Sequence, residues 1–316
     1  MAARDNLSSS EKKAGFFIFL HYEDQREVTM KISEILNQGK VTVSFEVFPP
    51  KKETDGEMVC RAVRQIADLK PSYLSVTYGA GGGTSRNTIR IASEIQKRGV
   101  PALAHLTCVS STREEITSLL GKLRENHIEN ILALRGDIPE GSNFPSPHQY
   151  HYASELVRQI KSFGGFCVGA ACYPDGHVEC EHKEDDISYL KEKVDCGCDF
   201  LITQMFFDNS VYYSFLCRVL AKGITVPVVA GIMPVTNSRQ IKRICALSGT
   251  VLPARFRAIV DRFSDRPEAM EQAGIAYATE QIIDLIANGV SAVHIYAMNK
   301  PDVAKRIMEN LSGIIQ

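Results

Sequence analysis

The stretch VTYGAGGGTSRNT, at residues 76–88, contains the end of an apolar segment, four glycines within five residues and a polar run typical of a helix start. These features predict a strand, a glycine-rich loop and a helix, which is the repeating unit of an α/β fold. The glycines lack the G-x-G-x-x-G spacing of a doubly wound dinucleotide-binding fold, and the acidic partner expected about 20 residues later is missing. The loop also lacks the G-K-[ST] ending of a P-loop. The glycines instead indicate positive φ angles and a close approach of the backbone to a bulky group.

Apolar, β-branched runs like the one that precedes this loop recur along the whole chain. The eight predicted strands lie at residues 41–48, 73–79, 101–107, 130–136, 166–173, 200–207, 226–233 and 292–298. Their apolar residues are continuous rather than alternating, as expected for parallel strands that are buried on both faces. Amphipathic helical patterns follow at residues 57–69, 87–98, 113–126, 153–163, 185–196, 211–222 and 238–248.

The end of the chain departs from this simple repeat. Two helical patterns within residues 253–288, split near Ser264 and Asp265, place an extra helix before strand eight, and residues 301–311 form a last helix. Eight strand-helix units joined by short links favour a closed barrel over an open sheet. The sequence therefore predicts an α/β fold: a (β/α)8 TIM barrel with an extra helix before strand eight. In such a barrel the functional residues lie at the carboxyl ends of the strands.

Composition limits the classes of partner. The 36 basic residues nearly balance the 37 acidic ones, so neither a nucleic-acid surface nor a membrane surface is indicated. No apolar run is long enough to span a bilayer, no signal peptide is recognisable, and the nine cysteines fit a reducing cytoplasm. Residues 30–316 are predicted to form the barrel. Residues 1–29 are predicted to be an N-terminal extension that is either disordered or produced by an upstream start.

Two acidic residues at predicted strand ends are the strongest candidates for catalysis. Glu46 lies within an otherwise apolar strand, where it is either ion-paired with a base in the barrel or a general acid with a raised pKa. Arg135 and Asp137 follow strand four, where they form either a local salt bridge or a second carboxylate site. Other polar groups at the strand ends are Thr77, Tyr78, His105, Thr107, Tyr173, Thr203, Gln204, Tyr296, Asn299 and Lys300.

The segment CYPDGHVECEHKEDD, at residues 172–186, raises the alternative of a metal site. The spacing of its two cysteines and two histidines matches no usual structural zinc pattern, and Cys196-Gly197-Cys198 is tighter than a C-x-x-C pair. Plain packing is the better interpretation of these cysteines, and we predict no metal. Lys193, in the next helix, either meets a phosphate or lies on a solvated face.

Eight short motifs together resemble the methylenetetrahydrofolate reductase family, in the bacterial form that consists of the catalytic barrel alone. The resemblance runs from about Met30 to the C-terminus, includes all eight predicted strands in order, and rests on SFEVFPPK (44–51), SVTYGAGG (75–82), HLTC (105–108), ALRGD (133–137), AACYP (170–174), ITQMFFD (202–208), GIMPV (231–235) and HIYAMN (294–299). It implies an FAD-dependent barrel of one-carbon metabolism that reduces 5,10-methylenetetrahydrofolate to 5-methyltetrahydrofolate with NAD(P)H. It also favours a homo-oligomer.

The resemblance also implies roles for individual residues. Glu46 corresponds to the general acid that opens the methylene bridge, and Asp137 to the carboxylate that stabilises the resulting cation. The implied substrate contacts are Glu46, Asp137, Gln204, Gln240, Tyr296 and Lys300, the last at a position where the family often has arginine. The implied FAD contacts are Thr77, Tyr78, Ala80, His105, Arg135, Gly136, Asp137, Tyr152, Ala153, Tyr173, His177, Asp186 and Lys193. Tyr189 and Glu192 depart from the family pattern.

Two rival functions remain open on the sequence alone. The same flavin barrel could serve as a subunit that takes electrons from an iron–sulfur partner instead of from NADH. The barrel could also be a metal-dependent lyase that uses Glu46, Asp137 and His105 as ligands.

Overall fold

A computed structural model describes residues 30–50, 55–78, 84–109, 111–138, 141 and 143–315. The strands are β1 (Thr42–Val47), β2 (Tyr73–Val76), β3 (Ala102–Thr107), β4 (Asn130–Leu134), β5 (Cys167–Cys172), β6 (Phe200–Thr203), β7 (Val228–Ile232) and β8 (Ala292–Ile295). The helices are α1 (Ile32–Leu36), α2 (Gly56–Ala67), α3 (Thr84–Gln96), α4 (Arg113–Glu125), α5 (Ala153–Phe163), α6 (Lys183–Asp195), α7 (Asn209–Ala221), α8 (Ser238–Ser248), α9 (Ala254–Arg262), α10 (Pro267–Ala287) and α11 (Pro301–Leu311). None of the helices in these ranges is long and apolar enough to cross a bilayer.

The eight strands form a closed barrel in sequence order, and every neighbouring pair is parallel. Closure is made by β1 and β8, in which Ser44 is the register partner of His294. The predicted (β/α)8 barrel is therefore confirmed. The extra helix is confirmed as well, because α9 ends at Arg262 and α10 begins at Pro267, on either side of the predicted split.

Several predicted strands were too long at their carboxyl ends. The run predicted as 73–79 is a strand only to Val76, and the run predicted as 200–207 ends at Thr203. The physical reason is that the apolar residues after each strand turn into the loop above the barrel, where they pack instead of pairing. Met205 and Phe207, for example, are buried against Phe256 of α9 and its neighbours.

Helix α1 closes the amino-terminal end of the barrel. Its Ile32 and Ile35 are buried in a cluster with Leu103, Leu132 and Phe200 from the strands. The Ile32 N–H donates to the Asn130 side-chain oxygen at 2.8 Å, which fixes the helix to the start of β4. With this end closed, the opposite end is the open one, where the carboxyl ends of the strands meet. The predicted extension, residues 1–29, lies outside the described residues.

Two glycines adapt the barrel interior to large aromatic rings. A Cβ on Gly169 would lie 2.4 Å from the ring of Phe200, and a Cβ on Gly231 would lie 2.2 Å from the Thr203 carbonyl oxygen and 2.7 Å from the Tyr296 hydroxyl. The Tyr296 hydroxyl donates to that same carbonyl at 2.7 Å. Glycine at residue 231 therefore makes room for Tyr296 at the barrel mouth.

Candidate functional site

Glu46 lies in β1 with its side chain in the barrel, at the end where the site is expected. The residue is 8% exposed, and burial raises the pKa of its carboxyl to about 8, against the opposing effect of a hydrogen bond with Ser75. A buried carboxyl of this kind holds its proton at neutral pH, which suits a general acid. The raised pKa expected from the sequence is therefore present in the structure.

His105 on β3 is a basic group that lies close to Glu46. Its Nε2 lies 3.6 Å from the Glu46 carboxyl oxygen, but burial lowers the pKa of His105 to about 3. Both side chains are therefore neutral at neutral pH, and the ion pair that was the alternative for Glu46 does not form. His105 Nε2 is buried and has no hydrogen-bond partner among the described residues. Such an atom is costly to leave unpaired, by about 1–3 kcal/mol, so it marks a place where a ligand's polar group would fit.

Arg135 and Asp137 lie at the end of β4 but do not form the local salt bridge that the sequence left open. Arg135 instead binds Glu179 through both terminal nitrogens, each at 2.6 Å from a carboxylate oxygen. Asp137 is exposed, and Gly136 between them has a φ of 86° that favours glycine. The structure therefore leaves Asp137 available at the mouth of the barrel and anchors Arg135 to the loop after β5.

A second cluster of polar side chains lies between the loop after β5 and helix α6. The Lys193 ammonium donates to the Ala171 carbonyl at 2.5 Å, and burial lowers its pKa, so the solvated-face alternative for this lysine is wrong. The Asp186 carboxylate accepts a backbone hydrogen bond from His177, and burial raises its pKa. The ring of Tyr173 meets the His177 ring edge-on, with centroids 4.6 Å apart. These residues form the polar cluster of 173, 177, 186 and 193.

The cysteines that suggested a zinc site make other contacts in the structure. Cys172 is buried, and the Cys180 thiol donates to the backbone oxygen of His182 at 3.2 Å. Within the described part of the chain, no three His, Cys, Asp or Glu side chains lie close enough together to hold a metal ion. The geometry therefore assembles neither the zinc cluster nor the three ligands of the metal-dependent lyase.

Four more of the predicted contacts, Thr77, Tyr78, Tyr152 and Gln204, follow the carboxyl ends of β2, β4 and β6. Gln204 is half-buried and its side-chain oxygen accepts from the Met205 N–H at 3.0 Å, while the Tyr78 hydroxyl lies 3.1 Å from the Ser111 hydroxyl. Thr77 is half-buried, and its carbonyl accepts from Thr88 at 3.2 Å. Tyr152 is 63% exposed at the start of α5, whose first residue is Ala153. Ala80 lies outside the described residues.

Gln240 and Lys300 lie on the β7 and β8 side of the barrel. Gln240 is exposed near the start of α8 and lines a small cavity with Thr236, Asn237 and Met298 among others. The Lys300 ammonium donates to the Thr236 hydroxyl at 2.7 Å. The structure thus places both residues against the loop that follows β7. The two positions that depart from the family pattern, Tyr189 and Glu192, are exposed on α6.

Sequence reasoning missed three groups of residues near the site. The first is Glu179, the partner of Arg135, which lies in an irregular loop where no periodicity marks it. The second is the buried trio of Ser44, Ser75 and His294, which alternation along β1 would have suggested, since Ser44 is two residues before Glu46. The third is the backbone of Phe48, which the Asn299 side chain holds.

Asn299 fixes the chain that follows Glu46. Its side-chain oxygen accepts from the Phe48 N–H at 2.8 Å, and its side-chain nitrogen donates to the Phe48 carbonyl at 2.9 Å. Met298 and Asn299 both have positive φ, of 54° and 55°. Such a backbone costs about 1–3 kcal/mol for each residue, and it tends to occur at functional sites. The paired hydrogen bonds show what this strained turn achieves: they join the end of β8 to the end of β1.

Comparison with known proteins identifies the family. The family model for methylenetetrahydrofolate reductase matches residues 31–312. The chain is 33% identical over 294 residues to the 5,10-methylenetetrahydrofolate reductase of Pectobacterium carotovorum, covering 93% of this chain and 97% of that protein. It is 34% identical to the corresponding protein of Escherichia coli K12, with the same coverage. It is 35% identical over 305 residues to Methylenetetrahydrofolate reductase (NADH) 1 of Arabidopsis thaliana, of which it covers 51%.

A solved structure supports the fold independently. A Clostridium thermocellum protein described as binding two copies of 5-methyl-5,6,7,8-tetrahydrofolic acid superimposes with a TM-score of 0.64 at 14% sequence identity, covering 89% of this chain and 99% of that one. At that identity the likeness concerns the fold alone. The family assignment rests on the sequence matches, which confirm the resemblance carried by the eight motifs. The chain therefore belongs to the methylenetetrahydrofolate reductase family of enzymes.

Proposed function

We propose that this enzyme reduces 5,10-methylenetetrahydrofolate to 5-methyltetrahydrofolate with NAD(P)H as the electron donor and FAD as the cofactor. The observation that carries the proposal is Glu46, a buried carboxyl at the barrel mouth whose pKa is raised to about 8. Opening of the methylene bridge requires a proton on the nitrogen that leaves the methylene carbon. A carboxyl that is protonated at neutral pH can supply this proton. The test is product analysis: protein, FAD, NADH and substrate should yield one 5-methyltetrahydrofolate for each NADH consumed.

The residues at the mouth fit an FAD molecule. His105 Nε2 is buried without a hydrogen-bond partner among the described residues, so a polar group of a ligand would satisfy it. The polar cluster of 173, 177, 186 and 193, with Arg135 beside it, supplies cationic and hydrogen-bonding groups that suit a ribose and phosphates. The residues proposed to hold FAD are Thr77, Tyr78, Ala80, His105, Arg135, Gly136, Asp137, Tyr152, Ala153, Tyr173, His177, Asp186 and Lys193. When bound, the flavin supplies a hydride carrier between nicotinamide and folate.

The protein's own part in the reaction is proton transfer and charge stabilisation. The methylene carbon of the substrate is bonded to two nitrogens. Glu46 gives its proton to one of them, and the bond from the methylene carbon to that nitrogen breaks. The methylene carbon then forms an iminium cation with the other nitrogen. The exposed Asp137 carboxylate stabilises this cation from the mouth of the barrel. Gln204, which follows β6, and Tyr296, which follows β8, are proposed as hydrogen-bonding groups for the pterin. Gln240 and Lys300 are proposed to bind the folate tail.

The choice of electron donor distinguishes this proposal from its nearest rival. The rival is the same barrel fed by an iron–sulfur partner subunit, and it differs only in the origin of the electrons. Flavin that NADH does not reduce would favour the rival. A homo-oligomer and a cytoplasmic location remain predictions from the resemblance and the composition.

Replacing Lys193 with methionine is expected to weaken FAD binding by about tenfold to a hundredfold, because a charge-assisted hydrogen bond contributes about 1.5–3 kcal/mol. Methionine keeps the length and apolar stem of the buried side chain but removes the ammonium group. The measurement is FAD affinity by fluorescence titration of the apoprotein. The matched control is Lys191→Met on the same helix, since Lys191 pairs with Asp195 at 2.5 Å on the exposed side. Equal FAD affinity in the two variants would contradict the role given to Lys193.

A further inference from the structure

The end of β1 that carries Glu46 extends beyond its pairing with β8. Register pairs between β1 and β2 continue through Glu46 and Val47, but those between β1 and β8 end at Phe45 and Ile295. β8 turns away at this point, because the Ala297 N–H donates back to the Ile295 carbonyl at 3.0 Å. The chain around Glu46 is therefore paired with β2 on one side and reaches past the end of its pairing with β8 on the other.

The side chain of Asn299 supplies the hydrogen bonds that a longer β8 would make. The Thr42 N–H donates to the Ser291 carbonyl, just before β8, at 2.7 Å, so the backbone groups of even-numbered β1 residues face β8. Phe48 is the next even-numbered residue after Glu46. Its N–H donates to the Asn299 side-chain oxygen at 2.8 Å, and its carbonyl accepts from the Asn299 side-chain nitrogen at 2.9 Å. A carboxamide offers the same donor and acceptor as a peptide group, so Asn299 takes the place of a strand residue.

The direction of both hydrogen bonds is fixed by the backbone of Phe48. A backbone N–H can only donate and a carbonyl can only accept, so the amide oxygen of Asn299 faces the N–H and its nitrogen faces the carbonyl. Asn299 reaches this position with a φ of 55°, a conformation that asparagine adopts more readily than most residues. Pro49 and Pro50 follow Phe48 and have no N–H, so Phe48 is the last residue of this stretch that can donate.

We propose that Asn299 is a positioning residue for Glu46: by pairing with the backbone of Phe48, its amide fixes the strand end that holds the Glu46 carboxyl at the barrel mouth. The proposal rests on the function proposed for Glu46. Proton transfer requires the donor and acceptor atoms to lie about 2.6–3.2 Å apart. A misplacement of about 1 Å can slow a reaction by about a hundredfold, so a loosened strand end would affect the step that uses Glu46.

The test is Asn299→Gly, since glycine adopts a positive φ without strain but removes both hydrogen bonds. Reoxidation of the reduced flavin by methylenetetrahydrofolate should slow by about tenfold to a hundredfold, while reduction of the flavin by NADH stays unchanged. The measurement is stopped-flow absorbance of the FAD-loaded protein in each half-reaction. The matched control is Lys70→Gly, because Lys70 also has a positive φ, 52°, and lies before β2 at the opposite end of the barrel. Both half-reactions should be unchanged in the control.

A double variant tests whether the effect passes through Glu46. In a Glu46→Gln background, Asn299→Gly should cause no further slowing of the folate half-reaction, because the acid that Asn299 positions is gone. A merely structural role for Asn299 would slow the reaction by the same factor in both backgrounds. Equal slowing in the two backgrounds, or a folate half-reaction that Asn299→Gly does not slow, would overturn the proposal.

The pairing of Asn299 with Phe48 is also measurable without turnover. Hydrogen exchange of the Phe48 N–H, followed by NMR in full-length protein with isotope-labelled phenylalanine, should be faster in Asn299→Gly than in the wild type or in Lys70→Gly. Unchanged exchange would overturn the proposal whatever the substrate of the enzyme is. A wild-type protein that reduces no folate, but shows the faster exchange in Asn299→Gly, would contradict the proposed function and confirm the pairing.

Asn299→Asp provides a second variant if the glycine variant does not fold. Aspartate still accepts from the Phe48 N–H but cannot donate to the Phe48 carbonyl, so it keeps half of the pairing. The folate half-reaction should be slower than in the wild type, with the Phe48 N–H still protected from exchange. A folate half-reaction of wild-type rate in Asn299→Asp would count against the proposal in the same way.

Discussion

Glu46→Gln is expected to lose reduction of methylenetetrahydrofolate by about 10²–10⁴-fold while it retains FAD and its reduction by NADH. Glutamine has nearly the same size and keeps a hydrogen-bonding group in the barrel, but it cannot donate a proton to the bridging nitrogen. Nicotinamide oxidation requires no such proton, so only the folate half of the cycle should suffer. The measurement is stopped-flow absorbance of the two half-reactions, each followed separately in the wild-type protein and the variant.

The pH dependence of the folate half-reaction provides the internal control for this prediction. Because burial raises the pKa of Glu46 to about 8, the acid form is complete below that pH and is lost as the pH rises through it. The wild-type rate should then fall by about tenfold per pH unit above that value, and the residual rate of Glu46→Gln should lack this fall. Normal folate turnover in the variant would remove Glu46 from the mechanism.

Gly274→Ala is expected to destabilise the protein by about 3 kcal/mol or more, the range of severe overpacking. A Cβ at this position of α10 would lie 1.8 Å from the Val235 carbonyl oxygen and 2.6 Å from its carbon. Both are backbone atoms, so no side-chain rotation can relieve the overlap. Val235 belongs to the loop after β7 that carries Thr236, the partner of Lys300. We expect the loss in free energy of unfolding, by denaturant titration, to be accompanied by weaker folate binding.

Gly121→Ala is the matched control for this effect. Gly121 lies in the middle of α4, and a Cβ there would meet no atom within 4 Å. Alanine should stabilise that helix by about 0.5–1 kcal/mol, because glycine loses more backbone freedom on folding. Equal stability of the two variants would show that α10 does not approach the β7 loop as closely as the structure indicates.

The barrel was predictable because each strand and helix is specified by its own short run of residues, and this pattern repeats along the chain. The strand β5 and the helix α6 each follow from their own run of residues, and eight such units have few ways to close. The extra helix α9 was visible for the same reason, as a second amphipathic pattern within one crossover. Strand ends were less well predicted, because an apolar residue such as Phe207 serves equally well in a strand or packed in a loop.

The site was predictable only where a single residue differs in polarity from the residues around it in the sequence. Glu46 stands out as the one charged residue of β1, and its raised pKa follows from its burial there. The pairing of Arg135 with Glu179 joins loops 44 residues apart, and the Ser44–His294 contact joins strands 250 residues apart. Such contacts depend on the register of the closed barrel, which no local pattern contains. The fit of Gly274 against Val235 is likewise a tertiary contact.

The most direct test of the proposed chemistry is the anaerobic visible spectrum of the purified protein supplied with FAD. The protein should bind the flavin and turn yellow, lose its colour when NADH is added, and regain it when methylenetetrahydrofolate follows, with 5-methyltetrahydrofolate as the product. A colourless protein that cannot take up FAD, or a reduced flavin that methylenetetrahydrofolate does not reoxidise, would contradict the proposal that this barrel carries hydride from nicotinamide to folate.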